Sequence, residues 1–167
     1  MYCDFYSITN REKDIPVFVE MLVKEIEIIA RNHEKVWVFD TIFFGGGTPS
    51  LMKPRWMEEI MNALETSFDI SNVKEITMET NPGEAPMDSL IEFRKLGINR
   101  LSIGFQSLQP QLLTFLSRIH GSEDCLTTFR NARDAGFENI NVDMIYNIPG
   151  QSHKMWQTDL KQIIELA

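Results

Sequence analysis

Hydrophobic positions along the chain follow two periods, one helical and one extended. Apolar residues recur every three or four positions in six segments, which predicts helices at residues 14–31, 54–68, 86–96, 110–116, 123–135 and from 152 onward. In the first helix this spacing predicts a buried stripe formed by Phe18, Leu22, Ile26 and Ile29. Four shorter segments predict strands at residues 41–44, 73–79, 100–106 and 139–146. Strands that alternate with helices predict a parallel sheet with right-handed crossovers, and therefore an α/β fold.

The predicted strands are apolar on one face only. In the strand at 100–106, apolar side chains alternate with Arg100, Ser102, Gly104 and Gln106, and the strands at 73–79 and 139–146 alternate in the same way. A sheet covered by helices on both faces would be apolar throughout. We therefore expect helices on the outer face only, with the polar face lining an open barrel. A packed barrel interior would carry Val, Ile and Leu, so the polar lining indicates a cavity for a polar ligand.

Polar side chains and a run of glycines meet at one edge of the predicted sheet. Glu79, Gln106 and Asp143 lie toward the carboxyl ends of their strands on the inward face, and residues 45–47 are glycines that follow the strand at 41–44. Ligands bind at this edge of parallel α/β sheets, so these segments predict one shared site. Each side chain also has a simpler interpretation. Glu79 could be a solvated carboxylate, and Gln106 and Asp143 could accept hydrogen bonds from loop amides.

The loop GGGTPS at residues 45–50 is rich in glycine. Three consecutive glycines give a main chain without Cβ atoms, so a ligand can lie directly on the peptide groups. The loop is not a Walker A sequence, because no Gly-Lys-Ser/Thr follows, and Ser50 takes the position of the last glycine in GxGxxG. A turn from strand to helix with no ligand would use the same residues, so the loop alone leaves its role open.

Composition bounds the function classes. A chain of 167 residues is long enough for one domain with a hydrophobic core. The formal charge is −8, from 16 basic and 24 acidic residues, and no basic stripe is present, which argues against nucleic acid and anionic membranes as partners. The sequence shows neither an apolar run of membrane-spanning length nor a signal peptide pattern. Two cysteines are too few for a disulfide framework, so we expect a reduced, cytoplasmic protein.

Three other residue types have more than one interpretation. Arg118 is either a surface cation or a partner for an inward carboxylate or a ligand carboxylate. Cys125 lies at helical spacing near Phe129, which predicts a small core residue. The three histidines share no metal-ligand spacing, so no zinc site is expected.

Five motifs together resemble the radical S-adenosylmethionine (SAM) family, in particular the branch with oxygen-independent coproporphyrinogen III oxidase and the heme chaperone HemW. They are YCDFYS at residues 2–7, GGGTPS at 45–50, ETNP at 79–82, RLSIGFQS at 100–107 and NVDMIYNIPGQ at 141–151. The resemblance covers essentially the whole chain. It implies a (βα)6 barrel from which the first and last strands are missing, so residues 1–167 are expected to form one incomplete radical SAM core domain.

The resemblance also implies the site residues. Cys3 resembles the third cysteine of the CxxxCxxC loop that holds a [4Fe-4S] cluster in this family, and the other two cysteines would lie before Met1. The implied SAM contacts are Tyr2, Gly46, Gly47, Thr48, Glu79, Gln106, Arg118 and Asp143. Because one thiolate does not hold a cluster that normally takes three, the chain as written is expected to be a fragment that binds SAM weakly.

Three functions are compatible with these residues. The first is a HemW-like heme chaperone that binds SAM and a cluster, which is favoured because Phe5 stands where the oxidase carries a further cysteine. The second is a coproporphyrinogen III oxidase or dehydrogenase that uses SAM radical chemistry. Both imply heme or a porphyrin and an electron donor as partners, and enzymatic activity stays open. The third is a cluster-free nucleotide-binding module built on the glycine loop.

Overall fold

A computed structural model describes residues 10–32 and 37–166 of the chain. Within them lie four strands, Thr41–Phe44 (β1), Glu75–Thr80 (β2), Arg100–Gln106 (β3) and Asn139–Met144 (β4). The α-helices in this part of the chain are Ile15–Asn32 (α1), Pro54–Ser67 (α2), Met87–Lys95 (α3), Pro110–Phe115 (α4), Ser122–Asp134 (α5) and His153–Ile164 (α6). Short 3-10 turns at Glu12–Asp14 and Pro49–Leu51 precede α1 and α2. This order confirms the predicted alternation of strands and helices.

The strands form one parallel sheet in the order β1-β2-β3-β4, which confirms the predicted α/β class and fits a partial barrel. Its register aligns the polar positions, because Glu79 pairs with Ser102 and Ser102 pairs with Asn141. The register between β3 and β4 shifts between Ile103 and Gln106. One extra residue of β3 is accommodated there as a bulge, a feature that often adjusts the direction of a side chain near a functional site.

The helices cover one face of the sheet. Alternate strand residues on this face pack against α2, α3 and α5 in the main core cluster, which includes Met57, Met78, Leu90, Phe93, Leu101, Ile103, Phe105, Cys125 and Phe129. Burial of one such leucine or phenylalanine contributes about 2 kcal/mol to stability. The apolar sheet face is thereby fixed against the helices, as predicted, and Cys125 lies in the core.

Helix α1 packs on α2 through a different stripe from the predicted one. Val19 is fully buried and Ile26 is 8% exposed, in a cluster with side chains of α2. In contrast, Phe18 is 57% exposed and Ile29 is 37% exposed. The predicted stripe is therefore wrong at its two ends. Helix α1 carries apolar residues on two adjacent stripes, and periodicity does not select between them.

Two helix starts show how side chains satisfy main-chain donors. The Ser152 hydroxyl accepts a hydrogen bond from the Met155 N–H at 3.2 Å, which confirms its predicted cap of α6. Helix α5 starts one residue before its predicted position, and the Asp124 carboxylate accepts from the Gly121 N–H at 2.8 Å. Among the described residues, no helix is both long enough and apolar enough to cross a bilayer.

Candidate ligand-binding site

The glycine loop follows β1 and touches the end of β2. The Gly46 N–H donates to the Glu79 carboxylate at 3.2 Å. A Cβ atom on Gly45 would lie 2.7 Å from the Phe43 ring and 3.1 Å from the Glu79 carboxyl group, so only glycine allows this close approach. Gly46 has φ +111°, which strongly favours glycine. Among residues 10–32 and 37–166, no atom lies within 4 Å of the position that a Cβ atom would take on Gly46 or Gly47, so this part of the chain leaves space beside both glycines.

Asn81, just beyond β2, connects this loop to the segment between α4 and α5. Its side-chain amide donates to the Thr48 hydroxyl at 3.0 Å and to the Glu84 carboxylate at 2.9 Å. Its carbonyl oxygen accepts a hydrogen bond from the Arg118 guanidinium at 2.8 Å. Thr48 and Arg118, which are far apart in the sequence, therefore lie on opposite sides of one amide group.

Gln106 lies beside the same group at the end of β3. A Cβ atom on Gly104 would lie 2.8 Å from the Gln106 side-chain nitrogen, 3.2 Å from the Asn81 side-chain oxygen and 3.6 Å from the Arg118 guanidinium. These three side chains thus meet over Gly104 and occupy the space that any larger residue would need. Gln106 itself has φ +66°, an unusual value outside glycine. Such strain concentrates at ligand sites, so it supports a binding role.

Asp143, on β4, continues the polar surface across the sheet. Its carboxylate accepts from the Ser102 hydroxyl at 3.0 Å and from the Asn141 side-chain amide at 2.7 Å. Ser102 pairs in register with Glu79, so Asp143 and Glu79 lie on the two sides of β3. Asp143 remains exposed to solvent despite these bonds, so it can bind a further donor.

Among the described residues, the side chains that form this network carry a net negative charge. Three carboxylates, Glu79, Glu84 and Asp143, stand against one guanidinium, Arg118, in the network described above. A carboxylate attracts a cation within a few ångströms, and the attraction is stronger where water is partly excluded. The site therefore suits a ligand that carries positive charge together with a carboxylate that can pair with Arg118. A zwitterion with an additional cationic centre meets this requirement.

Two titratable groups lie behind the site. Burial lowers the pKa of His120, the hydrogen bond to the Phe105 carbonyl raises it, and the charge of Arg118 lowers it. Burial also raises the pKa of the Cys125 thiol to about 12, with a further contribution from the Asp124 charge. The imidazole is therefore held toward its neutral form, and the thiol stays protonated at neutral pH. No group of three metal-binding side chains occurs among residues 10–32 and 37–166.

The structure brings most of the expected site residues to one edge. Gly46, Gly47, Thr48, Glu79, Gln106 and Arg118 lie around the Asn81 network, and Asp143 is reached through Ser102. Tyr2 and Cys3 lie outside the described residues. Arg118 donates to the Asn81 amide oxygen and not to an inward carboxylate in this bond, and its contact with a ligand carboxylate stays a prediction. Asn81 is a further site residue that the sequence pattern did not identify, although its place after β2 in the ETNP motif was a usable signal.

The chain is similar to known proteins over nearly its whole length. The sequence profile of the radical SAM superfamily matches residues 1–163. The heme chaperone HemW of Lactococcus lactis is 30% identical over 99% of this chain, and HemW of Escherichia coli is 34% identical over 99%. The matches cover 42% and 44% of those two proteins, so the chain spans about two fifths of their length.

A solved structure of a radical SAM enzyme has the same fold as this chain. The coproporphyrinogen III oxidase HemN from Escherichia coli, described as a radical SAM enzyme, superposes with a TM-score of 0.85 at 27% identity. The superposition covers 99% of this chain and 38% of that chain. The resemblance to the HemN and HemW branch is thereby confirmed, and the relatives named HemW favour that side of it. By its profile match and its fold, the chain belongs to the radical SAM superfamily.

Proposed function

We propose that this chain is the SAM-binding core of a HemW-like radical SAM protein that handles heme. Radical SAM proteins generally use SAM and a [4Fe-4S] cluster, which supplies the electron for reductive cleavage of SAM. Three distant segments are in contact through Glu79 and Asn81: the glycine loop, the end of β2 and the segment between α4 and α5. This contact is the observation that carries the proposal. Family membership also makes a cluster-free nucleotide-binding module the weakest alternative.

The residues at this edge fit the chemical groups of SAM. Gly46 and Gly47 have no neighbour near their Cβ positions in the described part of the chain, so the methionine part can lie on their peptide groups. Glu79, held against Gly46, provides a negative charge for the ammonium group. The planar guanidinium of Arg118 suits a carboxylate, and the exposed Asp143 carboxylate suits hydroxyl groups such as those of a ribose. The negative net charge of the edge favours the sulfonium cation.

The cluster would draw its ligands from outside the described residues. Cys3 is the one candidate thiolate that the motif comparison identifies, and we propose that it is one of three protein ligands. Cys125 is unsuited to that task, because it is fully buried in the core and its thiol is held protonated. We further propose an electron donor as a partner and a reducing compartment, the cytoplasm, as the location.

Heme as the cargo rests on the relatives. HemW proteins match this chain at 30% and 34% identity over nearly its whole length. A second candidate, coproporphyrinogen III oxidase activity, is supported by the superposition on HemN. Phe5 favours the chaperone, since a further cysteine is expected at this position in the oxidase.

One experiment tests the proposal and separates its two forms. The natural full-length protein, reconstituted anaerobically with iron and sulfide, would be titrated with SAM and then with heme, and incubated with coproporphyrinogen III. We expect saturable SAM binding, saturable heme binding and no consumption of coproporphyrinogen. Consumption of coproporphyrinogen with no heme binding would replace the chaperone with the oxidase. Absence of SAM binding by a cluster-loaded protein would refute the proposal itself.

A further inference from the structure

A buried carboxylate on α6 holds the segment that follows Gln106. Asp159 is fully buried, and it accepts three hydrogen bonds from the connection between β3 and α4. One carboxylate oxygen accepts from the Ser107 hydroxyl at 2.7 Å and from the Leu108 N–H at 3.1 Å. The other oxygen accepts from the Gln109 side-chain amide at 2.6 Å. A buried carboxylate requires such donors to offset its desolvation, so these three bonds are strong constraints.

The segment that Asp159 holds begins directly after a strained residue. Gln106 has φ +66°, and the Ser107 N–H donates to the Phe105 carbonyl at 2.8 Å across it. A positive φ closed by a bond between residues two apart is typical of the classic γ-turn, which is rare and strained. Strained main chain persists only where the surrounding structure over-determines it. On the side of β4, the Gln106 carbonyl accepts from the Ile145 N–H at 2.9 Å.

Ser107 transmits the constraint from α6 to this turn. Its side chain is fully buried, and its hydroxyl donates to Asp159 while it accepts from the Gln109 N–H at 3.1 Å. Both sides of the strained residue are therefore fixed, one by β4 and the other by α6. The Gln106 side chain is directed over Gly104, next to Asn81 and Arg118.

We propose that Asp159 is a positioning residue for SAM binding: its bonds to Ser107, Leu108 and Gln109 keep Gln106 in the turn that presents its amide at the site. Asp159 lies 50 residues after Gln109 in the sequence and is fully buried, so it would act through these bonds and not by contact with the ligand. This inference rests on the proposed SAM-binding function. It gives α6 a role in SAM binding, although none of the predicted site residues lies on that helix.

The test is a double-mutant cycle on SAM affinity in the natural full-length protein with its cluster reconstituted. Asp159→Asn keeps the shape of the side chain but turns an NH2 group toward one of the donors. We expect SAM to bind about tenfold more weakly, as for loss of a hydrogen bond to a charged group. In the Gln106→Ala background the same change should cost less than about twofold, because the side chain to be positioned is absent.

A matched control separates positioning from general loss of stability. Phe137 is 1% exposed and precedes β4, so it lies at the amino ends of the strands, away from the site. Phe137→Leu should therefore destabilise the fold and leave SAM affinity unchanged. Hydrogen exchange should rise at residues 107–109 in Asp159→Asn but not in Phe137→Leu. If Asp159→Asn fails to fold, Ser107→Ala removes one of the three bonds and takes its place in the same cycle.

The outcomes distinguish this inference from the proposed function. Unchanged SAM affinity in a folded Asp159→Asn protein, or an equal loss with and without Gln106, would overturn the positioning role while the SAM site stands. A cluster-loaded parent protein that binds no SAM would refute the proposed function and the role of Asp159 with it. A loss of affinity confined to the background with Gln106 would support both.

Discussion

At the scale of single residues, two side chains at the end of β2 organise the site. Glu79 accepts a hydrogen bond from the glycine loop, and Asn81 connects Thr48 to Arg118 through hydrogen bonds. Glu79 adds a charge, whereas Asn81 supplies both a donor and an acceptor in one rigid group. Glu79 is in β2 and Asn81 directly follows the strand, and both side chains contact the loop that follows β1.

Removal of the Glu79 charge should weaken SAM binding without unfolding the protein. In Glu79→Gln the bond to the Gly46 N–H can persist, but the attraction for a cationic ligand is lost. We expect about a tenfold loss of SAM affinity, measured by calorimetry on the reconstituted protein. Glu58→Gln, at an exposed position of α2, is the matched control and should bind SAM as the parent does. Equal affinity in the two variants would contradict the role of Glu79.

His120 predicts a specific dependence of stability on pH. Burial lowers the pKa of His120 below its ordinary value of 6.5, so the unfolded chain takes up this proton at a higher pH than the folded chain does. Stability should therefore fall as the pH decreases from about 7 through the lowered pKa. Urea unfolding at pH 7 and pH 5 should show a smaller decrease for His120→Gln than for the parent. The same decrease in both proteins would show that His120 does not contribute.

At the scale of elements, the glycine loop combines two requirements. Gly46 needs glycine for its main-chain conformation, and Gly45 needs it for the approach of Phe43 and Glu79. Gly47 has no left-handed φ, and none of the described residues comes within 4 Å of its Cβ position. Residues 10–32 and 37–166 therefore give no packing reason for glycine there, and a ligand on the loop would supply one.

A pair of glycine substitutions tests this reasoning. Gly47→Ala should leave the free energy of unfolding within about 0.5 kcal/mol of the parent, yet weaken SAM binding, because its methyl group fills the space above the loop. Gly136→Ala, at φ +91° after α5, should show the reverse: a loss of about 1 kcal/mol in stability and unchanged SAM affinity. Chemical denaturation and SAM titration of both proteins give the comparison. Normal SAM binding by Gly47→Ala would place the ligand elsewhere.

Most of the element pattern is visible in the sequence because it depends on local periodicity. The polar face of the sheet follows from alternation in β2, β3 and β4, which the register confirms. The buried stripe of α1 is not determined in this way, since its partner α2 decides which apolar residues are covered. The turn at Gln106 is also invisible, because it depends on Asp159 of α6 and on β4. Asn81 was missed because an amide between two loops has no spacing signature.

At the scale of the whole molecule, the two faces of the sheet have different roles, one in core packing and the other in ligand binding. One face carries the core cluster against the helices, and the other carries charged and amide side chains toward the carboxyl ends of the strands. The glycine loop, β2, β3 and β4 each contribute to the same edge. The chain covers about two fifths of the length of its HemW relatives.

The most direct test is a crystal structure of the reconstituted full-length protein with SAM bound. We expect the methionine part of SAM to lie on Gly46 and Gly47, with its ammonium group within hydrogen-bond distance of Glu79. Gln106, Arg118 and Asp143 should contact the same molecule. SAM bound at another face of the sheet, or at this edge without a contact to Glu79 or the glycine loop, would contradict the account.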